Sequence, residues 1–198
     1  MRKVPVFFGE LDDRDIDWLI AVGHKEYVPK GTCVVEEGKP LSVLYFVLQG
    51  AFSMTGAGLG QGEIVCLGEG DVIGELALLD SRKPAGTFRA LMDSVVFCIP
   101  HQLLTARLTQ DPSLAARFYR GLSVWLAHRV RRLDLGTAGS LSSGDTSMFP
   151  LDATGLDSVY LAGSRCERLL KRVLAGSPTD DCDPATSTTL IYRRRWKE

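Results

Sequence analysis

The stretch GDVIGELALLDSRKPAGTFRA, residues 70–90, decides the fold class and frames the question of function. A short β-prone run ends at Gly74, and the acidic Glu75 precedes the helix-prone run LALL. Because glycine has no side chain, the backbone N–H groups at Gly74 can approach an anion closely, and the first amides of a helical turn point toward a phosphate. The Glu75 carboxylate can accept hydrogen bonds from sugar hydroxyls. The segment therefore predicts a pocket for a small anionic ligand.

Short β-prone runs surround this segment from about residue 26 to residue 100. They read TCVVEE, SVLYFVL, AFSM, EIVCLG, DVIG, TFRALM and SVVFCIP, and stretches such as EGKP and TGAGLGQG separate them. Seven or eight short strands separated by glycine turns predict a β-sandwich or jelly roll. Tight corners often require a positive φ, which glycine adopts readily. The fold class is therefore mainly β.

Helical patterns flank the β-prone region on both sides. On the N-terminal side, LDDRDIDWLIAVG (residues 11–23) has acidic residues in its first turn and a glycine at its end. On the C-terminal side, HQLLTARLTQ (residues 101–110) predicts one helix and DPSLAARFYRGLSVWLAHRVRRLD (residues 111–134) predicts a second, the exit helix. Asp111 is the expected N-cap of the exit helix, and Pro112 its first helical residue.

The exit helix carries an apolar stripe and many arginines, and Gly121 interrupts its centre. The stripe comprises Leu114, Phe118, Leu122, Trp125, Val130 and Leu133. The arginines are Arg117, Arg120, Arg129, Arg131 and Arg132. One interpretation places the arginines on a solvated face, and another packs the stripe against a second copy of the helix.

Composition limits the classes of function. The net charge of −1 and the pI of about 6.3 give no bulk basicity that would indicate nucleic-acid binding. The apolar runs are shorter than the roughly 18 residues of a membrane span, and the N-terminus lacks the apolar stretch of a secretory signal. We therefore expect a cytoplasmic protein without a membrane span.

Neither the cysteines nor the histidines form a recognised chemical motif. The five cysteines include no C-x-x-C pair, and those in β-prone runs are expected to act as small buried hydrophobes. His24, His101 and His128 are scattered, and no G-x-S-x-G elbow or P-loop occurs. The sequence therefore predicts neither an enzyme nor a metal site.

Taken together, these motifs resemble the cyclic nucleotide-binding domain family of catabolite-activator-type regulators, cyclic-nucleotide-dependent kinases and gated channels. The resemblance covers Phe7 to about Leu133. The spacing of five glycines matches the strand corners of the family: Gly31, Gly38, Gly50, Gly70 and Gly74. It implies a cyclic nucleotide-binding jelly roll, or double-stranded β-helix, with C-terminal helices, and a non-enzymatic domain that binds cAMP or cGMP.

The phosphate cassette of the family reads approximately G-E-[LM]-A-L-L, a few residues, and then R-[ST]-A-[TS]-V. Its glutamate, which binds the ribose hydroxyl, matches Glu75, but the position of the phosphate-binding arginine is Pro84. Losing a charge-assisted contact costs about 1.5–3 kcal/mol, so affinity should fall about tenfold to a hundredfold. Two alternatives remain for the basic residues before Pro84. In one, a shift in the loop brings Arg82 or Lys83 to the phosphate; in the other, both side chains are solvated. The predicted site comprises Gly74, Glu75, Leu76, Ala77, Arg82, Lys83, Ala85 and Gly86.

We predict a domain over residues 1–134, with the β-roll at about 26–100 and exit helices at about 101–134. Residues 135–198 are expected to be a linker and tail, largely disordered, with room for one short helix at about 159–175. The favoured function is a sensor of a cyclic nucleotide or another small anion. The protein is expected to form a homodimer through residues 113–133. Trp125 is expected either to cover a base of the ligand or to pack in the core. The alternatives are a ligand-independent scaffold for an unknown protein partner and, less favoured, a transcription regulator with a degenerate helix-turn-helix at LAGSRCERLLKRVL.

Overall fold

A computed structural model of the chain describes residues 6–56, 65–137, 163–165, 167–169 and 171–173. Within these residues, eight strands form two four-stranded sheets, with helices before and after them. The strands are β1 (His24–Val28), β2 (Cys33–Val35), β3 (Val43–Gln49), β4 (Ala51–Thr55), β5 (Val65–Gly68), β6 (Val72–Ile73), β7 (Thr87–Ala90) and β8 (Ser94–Pro100). The helical elements are a 3-10 turn (Val6–Gly9), α1 (Asp13–Val22), α2 (Glu75–Asp80), α3 (His101–Gln110) and α4 (Pro112–Thr137).

The strand order confirms the predicted jelly roll. One sheet has the order β1-β8-β3-β6 and the other β2-β7-β4-β5, and every pairing is antiparallel. Alternate residues of β8 serve two cores: Val96 and Cys98 lie in the core of the roll, whereas Phe97 and Ile99 pack beneath the helices. This alternation follows from the two-residue period of a strand, and it joins the helices to the roll.

Strand β1 was not among the runs that the sequence analysis identified. Its sequence HKEYV is mostly charged or polar, and only Val28 is buried. Among the described strands it pairs only with β8 and so lies at the edge of its sheet. Charged side chains are common on edge strands because they discourage further pairing. Its register places His24 opposite Cys98.

The five glycines whose spacing predicted strand corners all have positive φ angles, between 73° and 96° for four of them and 97° at Gly74. Gly74 shows why a glycine is required. A Cβ atom there would lie 2.7 Å from the carbonyl oxygen of Val43. The backbone conformation and the close approach of β3 therefore both exclude a side chain at the start of α2.

The predicted ends of the helices are largely confirmed. Asp12 and Asp15 form a reciprocal capping box at the start of α1, and the backbone N–H of Leu114 donates to Asp111 Oδ1 at 3.0 Å at the start of α4. Gly121 lies in the middle of α4 because a Cβ there would be 2.8 Å from the carbonyl oxygen of Phe7. The glycine allows α4 to pack closely on the 3-10 turn.

The structure corrects one prediction for α4 and part of one interpretation. Val130, assigned to the apolar stripe, is 55% exposed. The arginines do not all form a solvated face, since Arg117 binds Asp15 through two hydrogen bonds of 2.6 and 2.8 Å and Arg129 is largely buried. Arg117 thereby joins α4 to α1, and the pKa of Asp15 is lowered because this ion pair and the capping hydrogen bonds outweigh its burial.

Residues 163–165, 167–169 and 171–173 are helical and pack against α1. Leu169 is fully buried in the core beneath the helices, and Val173 packs against the same core. Arg168 and Arg172 form ion pairs with Asp17 at 3.4 and 2.7 Å. Helix α4 continues to Thr137, three residues past the predicted end of the exit helices, and the predicted linker and tail at 138–162 and 174–198 lie outside the described residues.

Candidate functional site

The candidate site begins where β6 ends. Gly74 adopts the left-handed conformation, with φ 97°, and turns the chain into the short six-residue helix α2. The Leu78 N–H donates to the Gly74 carbonyl at 3.2 Å and fixes this turn. As a result Glu75 points into the protein and is only 3% exposed, whereas Leu76 is 58% exposed. Ala77 is half-buried.

Glu75 binds an arginine that comes from the exit helix. Arg129 Nη1 lies 2.7 Å from Glu75 Oε1, and the side chains are 15% and 4% exposed, respectively. The Arg129 guanidinium also lies over the buried Trp125 ring, with its central carbon 5.3 Å from the ring centroid. The carboxylate of α2, the guanidinium of α4 and the indole of α4 therefore form one contiguous arrangement.

The electrostatics of Glu75 reflect two opposing effects. Burial raises the pKa of Glu75 and outweighs the opposing effects of Arg129 and of the backbone N–H groups of Glu75 and Gly74. The nearby Asp71 carboxylate raises the pKa further. The ionised form of Glu75 consequently depends on its cationic and N–H partners.

The second half of the cassette lies apart from this arrangement. Arg82 is 86% exposed, and its Nε atom lies 3.6 Å from Asp80 Oδ2. Lys83 and Ala85 are exposed as well. The Pro84 carbonyl accepts a hydrogen bond of 2.9 Å from the Gly38 N–H, which holds the loop against the β2–β3 corner. Neither Arg82 nor Lys83 is paired with Glu75 in this structure.

Gly86 directly precedes β7 and occupies a confined position beside the end of β4. A Cβ atom there would lie 2.7 Å from Met54 Cε and 2.9 Å from the Thr55 carbonyl oxygen. Arg89 donates from Nη1 to the Gly31 carbonyl and is therefore engaged by the corner before β2. The structure thus brings Gly74 and Glu75 together with the exit helix, and leaves the predicted cations Arg82 and Lys83 on the outer side of the loop.

Arg129 is the residue that the sequence reasoning missed as a site residue. Its signal was present in the spacing, because Leu114, Phe118, Leu122 and Trp125 recur at intervals of four, four and three residues. The next step of four residues reaches Arg129, whereas Val130 departs from the stripe. A lone arginine on an apolar helical stripe predicts a buried acidic partner, since a buried charge requires one.

Comparison with known proteins agrees with this architecture. Residues 25–111 match the family model described as the cyclic nucleotide-binding domain. The chain is 28% identical over 167 residues to an uncharacterized NTE family protein of Mycobacterium tuberculosis, a match that covers 80% of this chain but only 28% of that protein. It is 26% identical over 137 residues to the cyclic AMP receptor protein of Thermus thermophilus, covering 68% of this chain and 61% of the relative. The chain therefore spans less than two thirds of either relative.

A solved structure supports the same fold. The cyclic nucleotide-binding domain from Methylobacillus flagellatus superimposes with a TM-score of 0.61 over 71% of this chain and 84% of that one, at 17% identity. Within the described residues, we find no helix that is both long and apolar enough to traverse a bilayer. Residues 25–111 of this chain thus match the family model of the cyclic nucleotide-binding domain, and the chain shares the fold of that solved domain.

Proposed function

We propose that the chain is a non-enzymatic regulatory domain that binds cAMP or cGMP at Gly74 and Glu75 and responds through α4. The domain family over residues 25–111 supports this class of ligand, and one relative is named a cyclic AMP receptor protein. The buried carboxylate at the left-handed turn supports the position of the site. A ligand hydroxyl would donate to this carboxylate, which has more than one acceptor direction.

The contact between Arg129 and Glu75 carries the regulatory part of the proposal. It is a short, largely buried ion pair between the candidate pocket and the exit helix. Any ligand that interacts with Glu75 alters the electrostatic field on Arg129, and the guanidinium in turn lies on Trp125. A ligand shifts a conformational equilibrium only when it interacts differently with the two states. The pair supplies such a difference, because α4 cannot move away from the roll without breaking it.

Affinity in the proposed site should be low. Pro84 and Ala85 occupy the positions that the family resemblance assigns to the phosphate-binding arginine and its neighbouring hydroxyl residue. Proline lacks both a charge and an N–H group, and the loss corresponds to about tenfold to a hundredfold in affinity. Arg82 and Lys83 both lie near enough in sequence to contribute after a movement of the loop.

A thermal-shift titration with cAMP and with cGMP tests the proposal. At a ligand concentration a hundred times Kd, binding adds about 2.7 kcal/mol to the free energy of unfolding, which is a measurable shift in Tm. Glu75→Gln keeps the shape of the side chain but removes its charge, so it should abolish a saturable shift. Leu79→Gln is the matched control, because this residue of α2 lies outside the predicted site and is 45% exposed. No shift at millimolar ligand, or a shift that Glu75→Gln leaves intact, would refute the proposed site.

A ligand-independent interaction module is the second candidate, and the uncharged cassette positions favour it. This candidate predicts a homodimer or a protein complex without any nucleotide effect, and sedimentation of the chain with and without cAMP distinguishes the two. Tyr119 and Val130 are the exposed apolar residues of α4 that a partner helix would cover, at 43% and 55% exposure. Regulation of transcription has less support, because Arg165 and Arg168 of the candidate recognition helix are engaged by Asp13 of α1.

A further inference from the structure

Three side chains capable of binding a metal meet where β1 pairs with β8. His24 lies opposite Cys98 in the antiparallel register, and Glu26 is two residues further along β1, on the same face as His24. One nitrogen of His24, one carboxylate oxygen of Glu26 and the Cys98 sulfur all lie within 4.8 Å of one another. Their spacing in sequence matches no metal-binding motif. The three residues meet because of the register of β1 against β8.

The distance between two of these ligand atoms already suits a tetrahedral metal ion. Cys98 Sγ lies 3.4 Å from Glu26 Oε2. With Zn–S of about 2.3 Å and Zn–O of about 2.0–2.2 Å, the sulfur and oxygen atoms of a tetrahedral zinc site are about 3.5 Å apart. The imidazole of His24 is exposed, so its ring can rotate toward the other two ligand atoms without disturbing the core.

The surroundings also suit a cation. Exposure falls from His24 at the surface, through the half-buried Glu26, to the buried Cys98, so an ion could approach from solvent on the His24 side. Tyr45 lies opposite Cys98 on the neighbouring strand β3, and it is close enough that Cys98 and Glu26 contribute to raising its pKa, after the larger effect of burial.

We propose that His24, Glu26 and Cys98 bind Zn²⁺ with a water molecule in the fourth position. The mixture of nitrogen, oxygen and sulfur ligands favours zinc over magnesium or calcium, which prefer oxygen alone. The site is separate from the candidate nucleotide pocket. Strands β8 and β3 lie between β1 and β6, which places β1 about 14 Å from the strand that leads to Gly74. The proposed zinc site can therefore be tested independently of the proposed nucleotide site.

Cobalt(II) absorption spectroscopy on the full chain provides the test, because a cysteine ligand produces a sulfur-to-cobalt charge-transfer band. Four cysteines, Cys33, Cys66, Cys166 and Cys182, are first replaced by serine, which leaves Cys98 as the single thiol. This variant should bind one equivalent of Co²⁺ with the charge-transfer band and with tetrahedral d–d bands, and Zn²⁺ should displace the cobalt.

His24→Ala in the same background is the decisive variant, since an exposed residue can be removed without a risk to folding. It should weaken Co²⁺ and Zn²⁺ binding by more than about tenfold, because even outer partners of metal ligands contribute that much. His101→Ala is the matched control and should leave the affinity unchanged. The proposal is overturned if no charge-transfer band appears at equimolar Co²⁺, or if His24→Ala and Glu26→Gln both retain the parental affinity.

Discussion

Arg129 of the exit helix lies 2.7 Å from Glu75, so the carboxylate that the family resemblance assigns to ribose binding already has a cationic partner within the chain. The pair joins the turn after β6 to the last element of the domain. Its position indicates that the free energy of unfolding, the protonation of Glu75 and the placement of α4 depend on one another.

Replacing Arg129 with methionine should destabilise the domain in a manner that depends on pH. Loss of one partner leaves a buried carboxylate uncompensated, at a cost of about 3 kcal/mol at neutral pH. The pKa of Glu75 is already raised by burial and rises further without Arg129. Below the ordinary pKa of glutamate, Glu75 is protonated in the folded and unfolded states, and the difference from the native protein should disappear. As the pH rises through the folded pKa, the difference should grow.

Urea unfolding of both proteins between pH 4 and pH 8 measures this difference. Arg120→Met is the matched control, because Arg120 pairs with Glu10 at 2.7 Å but is 72% exposed. Surface pairs contribute about 0–1 kcal/mol, so this control should change little. A deficit in Arg129→Met that is the same at every pH would contradict the role assigned to Glu75.

The double variant Pro84→Arg, Ala85→Ser should increase the affinity for cAMP by about tenfold to a hundredfold, by restoring a charge-assisted contact. The loop is suited to the change because Gly38 bonds to the backbone carbonyl of Pro84, and any residue at this position supplies that carbonyl. Isothermal titration calorimetry measures the effect, and Pro84→Gln, Ala85→Ser is the matched control, because it removes the proline without adding a charge. An unchanged affinity would show that the loop does not face the bound phosphate.

Much of the roll could be predicted from sequence because period-two apolar runs and corner glycines are local signals. Strand β1 was missed because its residues are mostly charged or polar and show no apolar alternation. Such residues suit an edge strand, but that position becomes apparent only from the pairing with β8. Glu75 could be found because it adjoins a glycine within a recognisable segment. Arg129 was hidden among several arginines, and its partner lies 54 residues away. The approach of His24 to Cys98 depends on strand register, which no local pattern specifies.

Arg117→Met should weaken the attachment of α4 to α1. The two hydrogen bonds from Arg117 to the buried Asp15 carboxylate contribute about 1.5–3 kcal/mol in total. The pKa of Asp15 is lowered in the folded state. The contribution is therefore fully present above the ordinary pKa of aspartate and is lost as the pH falls through the lowered value. Acid unfolding followed by circular dichroism should begin at higher pH in Arg117→Met, and identical acid transitions would contradict the assignment.

Gly121→Ala should destabilise the domain although alanine is the better helix former. Propensity alone predicts a gain of about 1 kcal/mol. The added Cβ would lie 2.8 Å from the Phe7 carbonyl oxygen, so α4 or the 3-10 turn must move and the aromatic contacts of Phe7 must loosen. Thermal unfolding measures the net effect. Ala116→Gly at an exposed position of the same helix provides the propensity reference, and a raised Tm in Gly121→Ala would show that the close contact is relieved at no cost.

Leu169→Ala should release the described helical residues 163–165, 167–169 and 171–173 from α1. Leu169 is fully buried, and removing such a side chain costs about 2–5 kcal/mol, whereas each exposed ion pair with Asp13 or Asp17 contributes at most about 1 kcal/mol. Amide hydrogen exchange should therefore accelerate in this segment in Leu169→Ala, and 1 M NaCl should have a much smaller effect on the native protein. Glu167→Ala, on the exposed side, is the control. If salt alone releases the segment while Leu169→Ala retains it, electrostatic attraction rather than apolar burial holds it in place.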